Sequence, residues 1–99
     1  TELREYLSDV IEDLEGPIYL SLDMDAVDPA FAPGVGTPEP LGMTPYEVMQ
    51  TVNFFADRIV GFDCVEVCPP HDNGNTSALA ARLIRHLVGA VWQSQQRFK

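Results

Sequence analysis

The segment Ile18-Tyr19-Leu20-Ser21-Leu22-Asp23-Met24-Asp25 decides the fold of this chain. From Ile18 to Asp23 the residues form an almost unbroken apolar run, which is typical of a strand covered on both faces. The segment ends in two carboxylates, at Asp23 and Asp25. Because side chains two residues apart on a strand point to the same side, we expect these carboxylates to converge at the strand end.

Asp23 and Asp25 are therefore candidate metal ligands. Two anions held close together repel each other unless a cation or a proton lies between them. The carboxyl end of a parallel strand is also where open α/β sheets bind their ligands. Hard oxygen donors suit magnesium or manganese better than zinc or copper. In the alternative interpretation, the two side chains only cap the turn that follows the strand.

The residues on both sides of this strand predict helices and a long loop. Apolar residues recur at helical spacing over residues 3–14, with acids on the other face, until Gly16-Pro17 ends the run. Residues 26–43 are rich in Pro and Gly and predict an irregular loop, of a length that is often functional. Thr44 and Glu47 then predict a capping box, with Pro45 at the first position of a helix.

A second strand and a last helix complete the pattern. Residues 59–67 predict a buried strand that Pro69-Pro70 ends, and Asn75-Thr76 opens the helix. In this helix the residues expected to face inward are Leu79, Leu83, Ile84, Leu87, Val88 and Val91, and those expected outward are Arg82, Arg85 and His86. Two apolar strands joined by a helix predict a parallel, right-handed βαβ unit in a single α/β segment, residues 1–99. Parallel sheets are normally buried, so further strands are needed.

Four other polar residues surround the expected metal pocket. Glu66, near the end of the second strand, could be a ligand, could bind a planar guanidinium bidentately, or could simply face solvent. His71 could contact a substrate or have no catalytic role. Asp28 precedes Pro29 and is expected to fix the turn by accepting backbone N–H groups. Asp63 could pair with a basic group or bond to backbone, and its partner stays open.

Composition excludes several classes of partner. The formal net charge of -9 argues against nucleic acid and against anionic membrane surfaces, whereas it attracts metals and cationic guanidinium compounds. No apolar run reaches the roughly 18 residues of a membrane span. Cys64 and Cys68 are too few for a disulfide framework and favour reduced thiols in a cytoplasmic protein. The chain shows no signal sequence and no initiator Met, so we expect a piece of a longer protein.

Together these residues resemble the ureohydrolase family of arginases, agmatinases and formimidoylglutamases. The resemblance spans roughly residues 17–92. It rests on residues 21–29, Ala32-Pro33-Gly34, Gly36-Thr37-Pro38-Glu39-Pro40, Val65-Glu66-Val67, Pro69-Pro70, Asp72, Thr76 and residues 78–81. The Gly-Thr-Pro-Glu-Pro loop is more similar to agmatinases than to arginases.

The resemblance implies the C-terminal βαβ part of a three-layer, parallel-sheet, arginase-like fold. It implies that Asp23 and Asp25 are ligands of a cluster of two manganese ions and that Glu66 holds the guanidinium of a small cationic guanidino substrate. The implied activity is agmatinase-type hydrolysis of agmatine to putrescine and urea, in polyamine biosynthesis. The implied assembly is a homo-oligomer, a trimer or hexamer.

The chain departs from the family in what it lacks. Family members supply the other metal ligands and a general-acid His from upstream motifs, and neither is present, so no catalytic residue is identified in this segment. His71 stands where agmatinases often carry Tyr. We expect the 99 residues alone to be inactive. The alternatives are a related hydrolase of guanidinobutyrate, formimidoylglutamate or arginine, and a non-catalytic metal-binding or assembly module.

Overall fold

The computed structural model describes residues 2–96, which form a two-stranded parallel sheet and three α-helices. The elements, in order, are α1 (Glu2–Glu12), β1 (Ile18–Asp23), α2 (Pro45–Phe55), β2 (Ile59–Val65) and α3 (Asn75–Gln96). This order confirms the predicted α/β fold with its parallel strands. Thr1 and residues 97–99, which the expected segment 1–99 includes, lie outside the described residues.

The start of α2 is determined locally by its capping box. Thr44 Oγ1 accepts the backbone N–H of Glu47 at 3.1 Å, and Glu47 Oε1 accepts the backbone N–H of Thr44 at 2.9 Å. Pro45 occupies the first turn, where a missing N–H leaves no bond unmade. The helix buries Val48, Val52 and Phe55, and its predicted start is confirmed.

All three helices pack on one face of the sheet, and the other face is bare within residues 2–96. Tyr19 and Val60 expose 63% and 74% of their surface. Residues 2–96 therefore contain two of the three expected layers and cover one of the two faces of the sheet that are expected to be buried. A third layer stays a prediction.

The second strand ends earlier than predicted, at Val65 instead of Val67. The next residue, Glu66, has a φ of 73°, in the left-handed region that interrupts an extended strand. Val67 then forms an isolated antiparallel bridge with Val35 of the loop. The chain therefore leaves the sheet at Glu66 and pairs with the loop instead.

Residues 26–43 form part of the core although they contain no helix or strand. Val27, Ala32 and Val35 are at most 1% exposed. They pack in one cluster with Leu22 of β1 and Leu83 of α3. A loop that buries three apolar side chains has its path fixed by packing, in the same way as a strand.

Asp28 fixes the first half of this loop, as its position before Pro29 predicts. Its carboxylate accepts the backbone N–H of Ala30 at 2.9 Å and of Gly42 at 3.1 Å, which joins the two ends of the loop. The backbone N–H of Asp28 donates to the Met43 carbonyl at 2.8 Å. The structural role expected for Asp28 is therefore confirmed.

The second half of the loop is attached to the start of α3. The backbone N–H of Gly34 donates to Thr76 Oγ1 at 2.8 Å, and Thr76 is completely buried. Asp72 accepts the backbone N–H groups of Thr76 at 3.1 Å and of Ser77 at 3.0 Å, which satisfies two donors in the first turn of the helix. One short segment of chain therefore caps α3 and holds the loop.

The exposed side of α3 differs from the prediction. Leu83 and Leu87 are buried as expected, but Val88 is 52% exposed and Trp92 is 61% exposed. These two lie on the side of the helix that no element in residues 2–96 covers. His86, expected in solvent, is half-buried, and its Nε2 bonds to Asn53 Oδ1 at 2.8 Å.

The two thiols are free, as the cysteine count predicts. Burial raises the pKa of the Cys64 thiol, and the negative charges of Asp63 and Asp23 raise this pKa further. Cys64 therefore stays protonated at neutral pH. No helix in the part of the chain that the structure describes is long and apolar enough to cross a membrane.

Two neighbouring residues of the loop should respond to mutation in opposite directions. A Cβ on Gly42 would lie 2.7 Å from the backbone N of Asp28, so we expect Gly42→Ala to reduce stability by about 1–3 kcal/mol. Leu41 is 97% exposed and has a φ of 65°. Leu41→Gly removes a left-handed strain of about 1 kcal/mol, partly offset by unfolded-chain entropy, and should stabilise slightly. Thermal unfolding of the full-length protein measures the stability of both variants. Equal losses of stability would contradict the loop geometry.

The carboxylate of Asp72 should make stability depend on pH. Partial desolvation raises the pKa of Asp72, but the N–H groups of Thr76, Ser77 and Asn73 outweigh this and hold it below its ordinary value. A depressed pKa stabilises the fold above the unfolded value of 3.8, and this stabilisation is lost as pH falls through the folded value. We expect Asp72→Asn to lower the melting temperature at neutral pH, with the difference from wild type shrinking below pH 3.8. A difference independent of pH would contradict this linkage.

Candidate functional site

Asp23 and Asp25 converge as the sequence predicts, although a turn rather than the strand brings them together. The strand ends at Asp23, and Met24–Ala26 form a 3-10 turn. Asp23 Oδ1 accepts the backbone N–H of Asp25 at 3.1 Å, so Asp23 also caps this turn. The capping role given above as the alternative is therefore present, and it is compatible with a ligand role because a carboxylate has further lone pairs.

The two carboxyl groups interact strongly enough to change ionisation. Burial raises the pKa of Asp23, and the Asp25 N–H lowers it. The hydrogen bond and the negative charge of the Asp25 carboxyl raise it again, so that the pKa of Asp23 lies above its ordinary value. A cation between the two carboxylates would relieve this repulsion.

The donor chemistry of the pair fits a hard divalent cation, but two carboxylates are only part of a site. Manganese and magnesium prefer carboxylate oxygens. Within residues 2–96, no group of three or more His, Cys, Asp or Glu side chains could hold a metal ion. Asp23 and Asp25 could therefore supply part of a ligand set, and the other ligands would have to come from outside the described residues.

Thr37 is a site residue that sequence reasoning missed as an individual contact. Its hydroxyl donates to Asp25 Oδ2 at 3.2 Å. The Gly-Thr-Pro-Glu-Pro segment marked the loop as unusual, but only the folded loop shows which side chain reaches the carboxylate. Thr37 therefore helps to orient the Asp25 carboxylate.

Glu66 lies against the same segment of the loop. A Cβ placed on Gly36 would be 3.8 Å from Glu66 Oε2, an ordinary van der Waals distance, so the Glu66 carboxylate lies beside Gly36. Glu66 is exposed and its backbone is held at a φ of 73°. Gly36 directly precedes Thr37, so the part of the loop beside Glu66 is continuous with the residue that bonds to Asp25.

Residues at the rim of the site have structural partners. The His71 Nδ1 bonds to the Val35 carbonyl at 3.0 Å, which fixes its ring against the loop. Asp63 accepts the hydroxyls of Ser21 at 2.7 Å and of Tyr19 at 2.9 Å on the bare face of the sheet. Its partners are thus neither of the two considered from the sequence. The bond to Asp63 raises the pKa of Tyr19, with desolvation and the negative charge of Asp63 acting in the same direction.

Comparison with known proteins shows which family this chain belongs to. The sequence profile of the Arginase family matches residues 1–89. The chain belongs to the Arginase family. It is 47% identical over 77 residues to the mitochondrial guanidino acid hydrolase of Homo sapiens, which covers 76% of this chain and 22% of that protein. It is 44% identical over 89 residues to the mitochondrial agmatinase of Gallus gallus, covering 88% of this chain and 24% of that protein.

A solved structure of the Arginase family has the same fold. The agmatine ureohydrolase of Thermoplasma volcanium superposes with a TM-score of 0.87 and 39% sequence identity, covering 96% of this chain and 32% of that one. The chain therefore spans about a quarter of the length of the curated relatives it matches. The arginase-like fold expected from the resemblance is confirmed for the part present here.

The strained backbone at Glu66 should lower the stability of the protein. Left-handed backbone at a non-glycine residue costs about 1 kcal/mol or more, so Glu66→Gly should raise the melting temperature of the full-length protein. Glu66→Gln keeps the strain and should leave the melting temperature close to that of wild type. If the Gly and Gln variants melt together, the strain at Glu66 contributes nothing measurable.

Proposed function

We propose that the full-length protein carrying this chain is a manganese-dependent amidine hydrolase of agmatinase type, converting agmatine to putrescine and urea. One observation carries the proposal. The segment Gly36-Thr37 touches both kinds of carboxylate: Thr37 bonds at 3.2 Å to Asp25 of the pair suited to metal, and Gly36 lies beside Glu66, which is suited to a guanidinium. The agmatinase name of one relative supports this substrate.

Glu66 binds the substrate in this proposal. A guanidinium is planar and offers paired N–H donors that match the two oxygens of a carboxylate. The Glu66 carboxylate is exposed and lies beside Gly36 of the loop. Glu66 therefore orients the guanidinium carbon toward the carboxylate pair, and this positioning can supply a large part of the rate enhancement.

Asp23 and Asp25 hold the metal in this proposal, with Thr37 keeping Asp25 in place. When bound, the manganese ions lower the pKa of water, so that hydroxide is available at neutral pH to attack the guanidinium carbon. The remaining ligands and the general acid belong to parts of the protein outside residues 2–96.

A second candidate function is the hydrolysis of a guanidino acid, such as guanidinobutyrate. The relative named guanidino acid hydrolase is 47% identical to this chain, close to the 44% of the relative named agmatinase. Agmatine and guanidino acids share the guanidinium and differ at the far end, where one carries an amine and the other a carboxylate. The residues of the proposed site would contact only the guanidinium, which the two kinds of substrate share.

We expect Asp23→Asn and Asp25→Asn to weaken manganese binding by the full-length protein by more than about 100-fold, since even residues behind a metal ligand contribute 10–100-fold. Glu66→Gln should leave manganese binding intact and reduce kcat/KM by about 10–100-fold, because it loses a charge-assisted hydrogen bond. Calorimetric titration with manganese and urea release from agmatine and guanidinobutyrate measure these effects.

The control is Asp13→Asn, which changes an exposed carboxylate that directly follows α1 and is not part of the site, so it should match wild type in both measurements. Unchanged manganese affinity in the Asp23 and Asp25 variants would overturn the metal assignment. Faster release from guanidinobutyrate than from agmatine would replace the first candidate function with the second. Absence of hydrolysis of either compound by the manganese-loaded protein would favour the non-catalytic module.

A further inference from the structure

The loop pairs with the chain that follows β2 in a short antiparallel ribbon, bridged at Val35 and Val67. Val35 is buried in the core, and Val67 packs against the same cluster. Successive residues of an extended chain point to opposite sides. The two neighbours of Val35, Gly34 and Gly36, therefore lie on the outer face of the ribbon, away from the core.

Two acidic side chains cover this outer face, and a histidine lies beside them. A Cβ on Gly34 would overlap the side chain of Asp72, and a Cβ on Gly36 would be 3.8 Å from Glu66 Oε2. Asp72 and Glu66 therefore lie on the same side of the loop. His71 directly precedes Asp72, and its ring bonds at 3.0 Å to the backbone carbonyl between the two glycines.

The loop passes three functional groups in a fixed order. Its successive residues 35–37 lie beside His71, Glu66 and Asp25, in that sequence. Along the loop, Glu66 thus falls between His71 and the carboxylate pair. A linear substrate that lies along this loop, with its guanidinium at Glu66 and its reacting carbon toward the carboxylate pair, has its other end toward His71.

The ring of His71 is held in one place with one nitrogen free. Pro69–His71 form a 3-10 turn, in which the backbone N–H of His71 donates to the Cys68 carbonyl at 2.9 Å. A carbonyl can only accept, so Nδ1 carries the hydrogen that bonds to Val35, and Nε2 of the neutral ring is an acceptor. Within residues 2–96, Nε2 has no partner, and the side chain of His71 is exposed.

An acceptor nitrogen at this position distinguishes the two kinds of substrate at the end where they differ. The ammonium of agmatine donates N–H groups, whereas the carboxylate of a guanidino acid has no hydrogen to donate. The acidic side chain of the adjacent Asp72 and the net charge of -9 also favour a cation there.

We propose that His71 Nε2 binds the terminal ammonium of the substrate, so that this chain selects aminoalkyl guanidines over guanidino acids. His71 is then a specificity-determining residue and takes no part in the attack on the guanidinium carbon. This inference rests on the proposed function, because it requires the guanidinium to be bound at Glu66.

Three guanidines with the same four-carbon chain test the proposal on the manganese-loaded, full-length protein: agmatine, guanidinobutyrate and butylguanidine, which has no polar group at its far end. His71→Asn retains an amide near Nδ1 and removes the acceptor at Nε2. We expect it to lower kcat/KM for agmatine by about 10–100-fold, because a hydrogen bond to a charged group is lost. For butylguanidine kcat/KM should stay close to the wild-type value. His71→Gln, whose longer amide reaches toward the position of Nε2, should recover part of the loss.

His86→Asn is the matched control, since it makes the same substitution at the other His of the chain, which bonds to Asn53. It should keep the wild-type ratio of kcat/KM for agmatine to that for butylguanidine. Equal losses for agmatine and butylguanidine in His71→Asn would show a structural role only and would overturn the proposal. A larger loss for guanidinobutyrate than for agmatine would also overturn it, because His71 would then bind a carboxylate.

Failure of the proposed function gives a different result, in which the wild type hydrolyses none of the three compounds. Calorimetric titration of agmatine and butylguanidine into the same manganese-loaded protein then tests His71 by itself. Tighter binding of agmatine that is lost in His71→Asn would support the proposal. Equal affinities of the wild type for the two compounds would overturn it.

Discussion

The hydrogen bond from the Gly34 amide to Thr76 Oγ1 ties the loop to α3, and the site depends on it. Thr76 is completely buried, so losing this bond would leave a polar group in the core without a partner. Gly34 also has no room for a side chain, because a Cβ there would overlap Asp72. Gly36 and Thr37 follow Gly34 by two and three residues. The hydrogen bond at Gly34 therefore helps to fix their positions beside Glu66 and Asp25.

The ends of both strands carry features that are energetically unfavourable. Two carboxylates repel each other at the end of β1, and Glu66 adopts a left-handed backbone at the end of β2. Each of these costs stability unless something relieves it, and the packed loop and the cap of α3 hold them in place. Such strain is common where a protein binds charged ligands. A cation bound between the two carboxylates would relieve their repulsion, which fits the proposed role of the pair as metal ligands.

The sequence predicts what local chemistry determines. Thr44 and Glu47 lie three residues apart, so the start of α2 follows from a capping box that the chain cannot easily avoid, and Asp28 fixes a turn within its own loop. Thr37 and Asp63 bond across 12 and more than 40 residues, and their partners depend on how the loop closes and how the strands register. No local pattern encodes those distances, which is why the prediction found the carboxylates but missed what holds them.

The free edges of the two-stranded sheet and the missing partners of the proposed metal ligands have one physical origin. A parallel strand can accept neighbours along its free edge, and the carboxyl ends of all parallel strands in a sheet meet on the same side. Strands paired with the free edges of β1 and β2 would therefore place their terminal residues beside Asp23, Asp25 and Glu66. Pairing of these strands would then complete the sheet and bring the remaining ligands to the proposed site at the same time. Metal affinity and folding of the whole domain are coupled, since ligands on different strands converge only when those strands are paired.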